Sequence, residues 1–263
     1  MNHNLNRTNV FPAESLVAQA ALKTLPLHQY MDATTASWIA FHTETLPSDP
    51  QPKHTKLPEN TQVILHQAPI PVSWQKNPAL VDTLHGTRHL MRTAVMAALV
   101  AQQHHLDIDT QTAAVVAAAV HDCRRVDDKG DPGHGQRGAA WLTEHAETVF
   151  TRFGLHPTQA QVSAAVTAVR LHETNYDQFT DQNWAEYAQH RHVVDVVKTA
   201  DALDRYRLPK RSWWPDHRFL RVLPKPWMHR LAFDLVVTSE LAYLSGHTSA
   251  SAVRGAVMGK GLM

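Results

Sequence analysis

Apolar residues along this chain recur at helical spacing. From about residue 82 onward the i, i+3, i+4, i+7 pattern dominates, and alternation of period two is nearly absent. The pattern predicts helices over 12–24, 30–42, 82–104, 110–122, 132–149, 158–173, 188–206, 227–245 and 248–258. End signals fit these spans. Thr110 is a good N-cap residue ahead of an Ala/Val run, Asp131-Pro132 reads as an N-cap with proline at the first helical position, and Thr158 opens the next helix. Residues 113–120 are apolar all round, which predicts a central, buried helix. Two stretches break the pattern. The segment 46–78 carries Pro47, Pro50, Pro52, Pro58, Pro69, Pro71 and Pro78, so it cannot be one long helix. It predicts an extended segment wrapping the surface, with Val63-Ile64-Leu65 a short strand at most. The segment 209–226 is irregular for the same reason. The fold class expected is all-α.

Composition changes this picture little. A formal net charge of +1 excludes a global field that would draw in nucleic acid or membrane. The apolar run at 113–120 is far too short to span a bilayer, and the first residues lack the basic start and apolar run of a secretory signal. Cys123 is the single cysteine, so no disulfide forms within the chain. These features lead us to expect a cytoplasmic protein.

Histidine, at 19 residues, is the unusual count, and its meaning depends on which helical faces carry it. His85, one helical turn before His89, falls with His89, Met96 and Val100 at roughly helical spacing, so His89 points inward. Val162, Ala165, Val166 and Val169 form a stripe that His172 continues. Val194, Val197, Asp201 and Asp204 share a face, His121-Asp122 ends the buried Ala/Val helix, and His134 sits in the first turn of its own. Several helices thus aim a His or Asp inward. A buried carboxylate is costly unless it is paired or binds a metal. Imidazoles and carboxylates without thiolates suit a divalent Mn, Fe, Co, Zn or Mg ion. Taken singly, an inward histidine is as readily a packed core residue, and His145, His156, His190 and His192 read as ordinary surface or packing residues.

The ordered set His89, His121-Asp122 and Asp201 resembles the H…HD…D signature of the HD-domain superfamily of metal-dependent phosphohydrolases. So do the strings HGTRH at 85–89 and HDCRRVDDKGDPGHG at 121–135. The resemblance covers about 82–208. It implies an HD-type helical core over 81–208, with a helical and proline-rich extension over 1–80 and a basic, aromatic loop and packing helices over 209–263. It further implies that His89, His121, Asp122 and Asp201 ligate one metal. His134 and His172 fall where the binuclear branches place two more histidines, with Asp122 as the bridge.

The loop after His121-Asp122 carries the remaining chemistry. Arg125 could clamp a phosphate, and Asp128 or His85 could serve as acid or base beside Asp122. Arg124, Arg205, Arg207, Lys210 and Trp213 are candidates for substrate binding, because 205–230 is basic and interleaved with aromatic residues. The expected substrate is a nucleotide or another small phosphorylated metabolite. Two other readings stay open: a di-iron oxygenase of the same superfamily, and an inactive nucleotide-sensing or scaffold module. The terminal segments could also form a homodimer surface.

Overall fold

A computed structural model describes residues 11–47 and 56–263; residues 48–55 of the proline-rich segment lie outside it. Among the described residues the chain forms ten α-helices and no strand. They are α1 (Leu16–Leu22), α2 (Ala33–Phe41), α3 (Glu59–His66), α4 (Thr87–Gln103), α5 (Ile108–Val120), α6 (His134–Arg152), α7 (Gln159–Leu171), α8 (Asp181–Asp204), α9 (Pro226–Leu244) and α10 (Ser249–Gly259). No described helix is long and apolar enough to cross a membrane.

Helix α5 is the axis of the bundle. Its residues from 113 to 120 are each 1% exposed or less, because small side chains let α4, α7 and α8 close on it from different sides. Each buried valine among them contributes roughly 1.5–3 kcal/mol. Helix α6 packs on α7, and α10 lies across α9 and α4.

Several local expectations are corrected. Val63, Ile64 and Leu65 lie in α3, where Ile64 and Leu65 are buried. Pro58 precedes that helix as its N-cap, a position at which its missing N–H costs nothing. Asp107, not Thr110, caps α5: its carboxylate accepts the Thr110 N–H at 2.9 Å and hydroxyl at 2.7 Å. The N-cap of α6 is Gly133, at φ 79°, while Asp131 accepts the Val126 N–H and pairs with Arg137. Thr158 caps α7 in a capping box with Gln161. Helix α8 begins at Asp181, before a kink at His190, so the apolar stripe after 190 reveals only its second half.

Two arginines on α4 tie it to the C-terminal helices. Arg88 and Arg92 are each 1% exposed. Arg88 donates to Glu240 at 2.8 Å, to the Ser249 hydroxyl at 2.7 Å and to the Asp82 carbonyl at 3.2 Å. Arg92 donates to Asp204 at 2.6 and 3.1 Å, to Glu240 at 2.7 Å and to the Ser239 hydroxyl at 2.9 Å. Every guanidinium nitrogen of both residues is therefore paired, which makes their burial tolerable. At the start of α4, Gly86 sits so close to the preceding turn that a Cβ would overlap the carbonyl oxygens of Leu80 and Val81.

Candidate metal centre

Five helices deliver one end or one turn each to a common point. His89 comes from the first turn of α4, and His121 and Asp122 from the end of α5. His134 is the first residue of α6, His172 caps the end of α7, and Asp201 lies in the last turn of α8. All except Asp201 are buried. Of these, His89, His172 and Asp201 lie on the faces that the helical periodicity turns inward.

The ring nitrogens have fixed roles. His121 Nδ1 lies 2.7 Å from the Ala118 carbonyl, His134 Nδ1 2.6 Å from that of Asp131, and His172 Nδ1 2.7 Å from that of Val169. A carbonyl only accepts, so each Nδ1 donates. His89 Nδ1 donates in the same way to Asp204 Oδ2, at 2.8 Å. Four Nε2 atoms are left without such a tether, and each can present a lone pair when it carries no proton. Those of His89 and His121 stand 3.0 Å apart, and those of His134 and His172 also 3.0 Å apart. Asp122 lies between the pairs. Its Oδ2 is 3.5 Å from His89 Nε2 and 3.8 Å from His121 Nε2; its Oδ1 is 3.0 Å from His134 Nε2 and 3.2 Å from His172 Nε2. Asp201 Oδ1 completes the first side, 3.4 Å from His89 Nε2 and 3.8 Å from His121 Nε2.

Lone pairs facing lone pairs and carboxylates in a dry interior repel one another unless a positive charge is shared among them. Two groups could hold a metal ion, His89 with His121 and Asp201, and His121 with Asp122 and His172; the ligand atoms in each lie within 4.8 Å of one another. The donor set of imidazole and carboxylate fits a divalent cation, and tethered Nδ1 atoms are the usual support of a metal-binding histidine. Arg125 adds its own charge on the second side, where Nη1 is 3.2 Å from His134 Nε2 and 3.6 Å from Asp122 Oδ2.

The electrostatics agree with this donor set. Burial pulls His121 down to about 3, so its ring is neutral at pH 7. Burial works against ionising Asp122, yet Arg125, His121 and His134 hold it well below the usual carboxylate range. Burial opposes ionisation of Asp201 too, and His89, His121 and Arg207 overcome it. His134 is raised to about 10 by Asp122 and Glu173 against the effect of burial, and Glu173 is held at about 2 by that same histidine and the Gly135 N–H. The carboxylates are anionic, and the pocket favours positive charge.

The cluster opens into a cleft of about 540 Å³ lined by Asp122, His134, His172 and Asp201, with Arg125, Arg205 and Arg207 on its walls. His85 also lines it, but not from the helix: α4 starts at Thr87, so His85 is held in the turn before Gly86 rather than one turn along from His89. Its Nδ1 is 2.8 Å from Asp128 Oδ1. Asp128 lies behind it, taking the Thr83 hydroxyl at 2.9 Å and the Gln29 N–H at 2.8 Å, and it does not line the cleft. Arg124 turns away to the Trp74 carbonyl and the Trp141 ring. Lys210 lies over Trp213, and neither lines the cleft.

Three residues at the site escaped the sequence reading. Asp204 orients His89, and its place on the inner face beside Asp201 was the available signal. Glu173 lies under His134, with Oε2 3.0 Å from Nδ1, and only its position next to His172 hinted at this. Lys198 lines the cleft and donates to the carbonyls of Leu171, His172 and Thr174, which closes the end of α7. No family model, curated protein or solved structure matches the chain.

Proposed function

We propose that the chain is a metal-dependent phosphohydrolase with a centre of the HD type. The observation that carries this reading is Asp122, a buried carboxylate with one oxygen facing His89 and His121 and the other facing His134 and His172. On this reading His89, His121, Asp122 and Asp201 hold one divalent ion, and Asp122, His172 and His134 form a second set. A metal bound there acidifies water and draws charge from a phosphoryl oxygen.

The chain's own groups would do the rest. Arg125, anchored by the Asp127 carbonyl at 3.2 Å, presents positive charge where phosphoryl oxygens would lie. His85 donates through Nδ1 to Asp128, so its Nε2 is the atom able to exchange a proton with a group in the cleft. Asp128 then acts through His85, as a positioning residue. The substrate class favoured is a nucleotide or a small phosphorylated metabolite, as monoester, diester or anhydride.

The test is metal content measured beside phosphate release. Protein purified without chelator is assayed with a panel of nucleotides and simple phosphate esters and added Mn, Co, Mg, Fe or Zn, with Asp122→Ala in parallel. Metal-dependent release that vanishes in the variant is the expected result. Bound iron with oxygen consumption and no phosphate release would replace the reading with the oxygenase. Nucleotide binding without turnover or metal would replace it with the sensing module.

A further inference from the structure

Away from the imidazoles, one wall of the cleft carries two arginines that lack the partners other buried arginines have here. The chain leaves α8 through a 3-10 turn, Arg205–Arg207, and both arginines line the same cleft as Asp122 and Asp201. Arg207 is 2% exposed. Its Nε donates to the Leu84 carbonyl at 2.7 Å, but Nη1 is buried without a hydrogen-bond partner; the nearest carboxylate oxygen, Asp204 Oδ2, is 3.5 Å away. Arg205 is half-buried and is held at Nε alone, 2.6 Å from the Trp213 carbonyl.

The contrast with Arg88 and Arg92 is informative. In Arg88 and Arg92, which are buried to hold α4 to the C-terminal helices, every guanidinium nitrogen is paired. An unmade hydrogen bond on a buried cation is costly, and a fold that needed Arg207 only for packing would have no reason to leave one. Two acids that line the cleft are already engaged, Asp131 by Arg137 and Asp216 by Arg218, and Asp204, which faces Arg207, is held by Arg92. The two guanidinium groups therefore make this wall positive. Between them they present unengaged nitrogens from two forks, which suits a tetrahedral phosphoryl group better than a planar carboxylate that one fork satisfies. A cleft of about 540 Å³ has room for such a group beside the one at the metal cluster.

We propose, resting on the phosphohydrolase reading, that Arg205 and Arg207 bind a second phosphoryl group of the substrate, one that is held and not transferred. The chain then favours diphosphates and bisphosphates over simple monoesters. Arg205 and Arg207 set this preference through binding, while the bond broken is at the metal cluster, with water as the acceptor.

Two measurements test it. The first is direct binding of inorganic pyrophosphate in excess chelator, read by tryptophan fluorescence, since Trp214 lines the cleft. Wild type is expected to bind, and Arg205→Met and Arg205→Gln to bind at least ~10-fold more weakly while keeping their melting temperature. No binding by wild type, or equal binding by folded variants, overturns the proposal. The second is the ratio of kcat/KM for adenosine diphosphate to that for adenosine monophosphate with metal present. It is expected to favour the diphosphate and to fall roughly tenfold or more in both variants; a ratio unmoved by either substitution overturns the proposal. If wild type hydrolyses no phosphate at all, the phosphohydrolase reading fails, while the pyrophosphate titration still judges the arginine pair by itself.

Discussion

Asp204→Asn tests how far the fold and the metal cluster depend on each other. Asp204 is buried, and its Oδ2 accepts from His89 Nδ1 at 2.8 Å and from Arg92 Nη2 at 3.1 Å, while Oδ1 accepts from Arg92 Nε at 2.6 Å. Asparagine keeps one acceptor for Arg92 and replaces the other with an amide donor. That removes the charge balancing a buried guanidinium, a change of about 3–5 kcal/mol when a buried pair is broken, reduced here because Glu240 still holds Arg92 Nη1. It also turns a donor toward His89 Nδ1. The imidazole is then pushed to the tautomer with its proton on Nε2, the atom facing His121 and Asp201. Loss of such a support lowers metal affinity by roughly 10–100-fold. The assay pairs urea denaturation with metal affinity from chelator competition. Glu240→Gln is the control, because it weakens the same arginine network without touching His89. Both variants should lose stability, and only Asp204→Asn should lose metal affinity. Equal affinity in wild type and Asp204→Asn would refute the assigned role of His89 Nδ1.

Further expectations concern groups outside the six clustered His and Asp residues. His229 is lowered to about 4 by burial and by its neighbour His217, at 2.8 Å, and accepts the Tyr206 hydroxyl at 2.9 Å. Its folded value lies below the ordinary 6.5, so its contribution is whole above 6.5 and lost as pH falls toward 4, amounting to about 3 kcal/mol. The midpoints of urea curves at pH 7 and pH 4.5 should lie closer together for His229→Gln than for wild type; an equal separation would sink this assignment. Gly86→Ala should destabilise by about 3 kcal/mol or more, since its Cβ meets two backbone oxygens that cannot move aside. A melting temperature within a degree or two of wild type would mean the turn holding His85 is looser than described.

How much of this was legible depended on the range of each determinant. The all-helical class and the burial of α5 follow from local periodicity, which reads well in an Ala/Val run. The inward direction of His89, His172 and Asp201 follows from the same periodicity. Helix α3 was hidden because three β-branched or apolar residues in a row resemble a strand, and tertiary packing of Ile64 and Leu65 outweighs that local preference. The start of α5 was misplaced because Asp107 and Thr110 are both capping types, and only the structure shows which accepts from the other. The partners of Asp204 could not be read at all: His89 is 115 residues away. Lys210 and Trp213 were placed by local charge, aromatic content and their closeness in the chain to the Asp201 helix, in a segment where no periodicity tells which way a side chain points.

The pairing of α4 with the C-terminal helices also bears on synthesis. Arg88 leaves the ribosome 152 residues before Glu240, its carboxylate partner, a delay of roughly 8–30 s at about 5–20 residues per second. During that interval two guanidinium groups that the finished protein keeps 1% exposed have no acid at Glu240 to meet, and each does better in water than in an apolar interior. Arg92 and His89 can meet Asp204 once α8 is out, but Arg88 has no carboxylate partner until α9 arrives. The nascent chain can carry all six clustered His and Asp residues outside the ribosome before the contacts that tie α4 to α9 exist. Helices α9 and α10 act as a late step of assembly, and ribosome-bound chains stopped before Glu240 should leave α4 open to proteases that the folded protein resists.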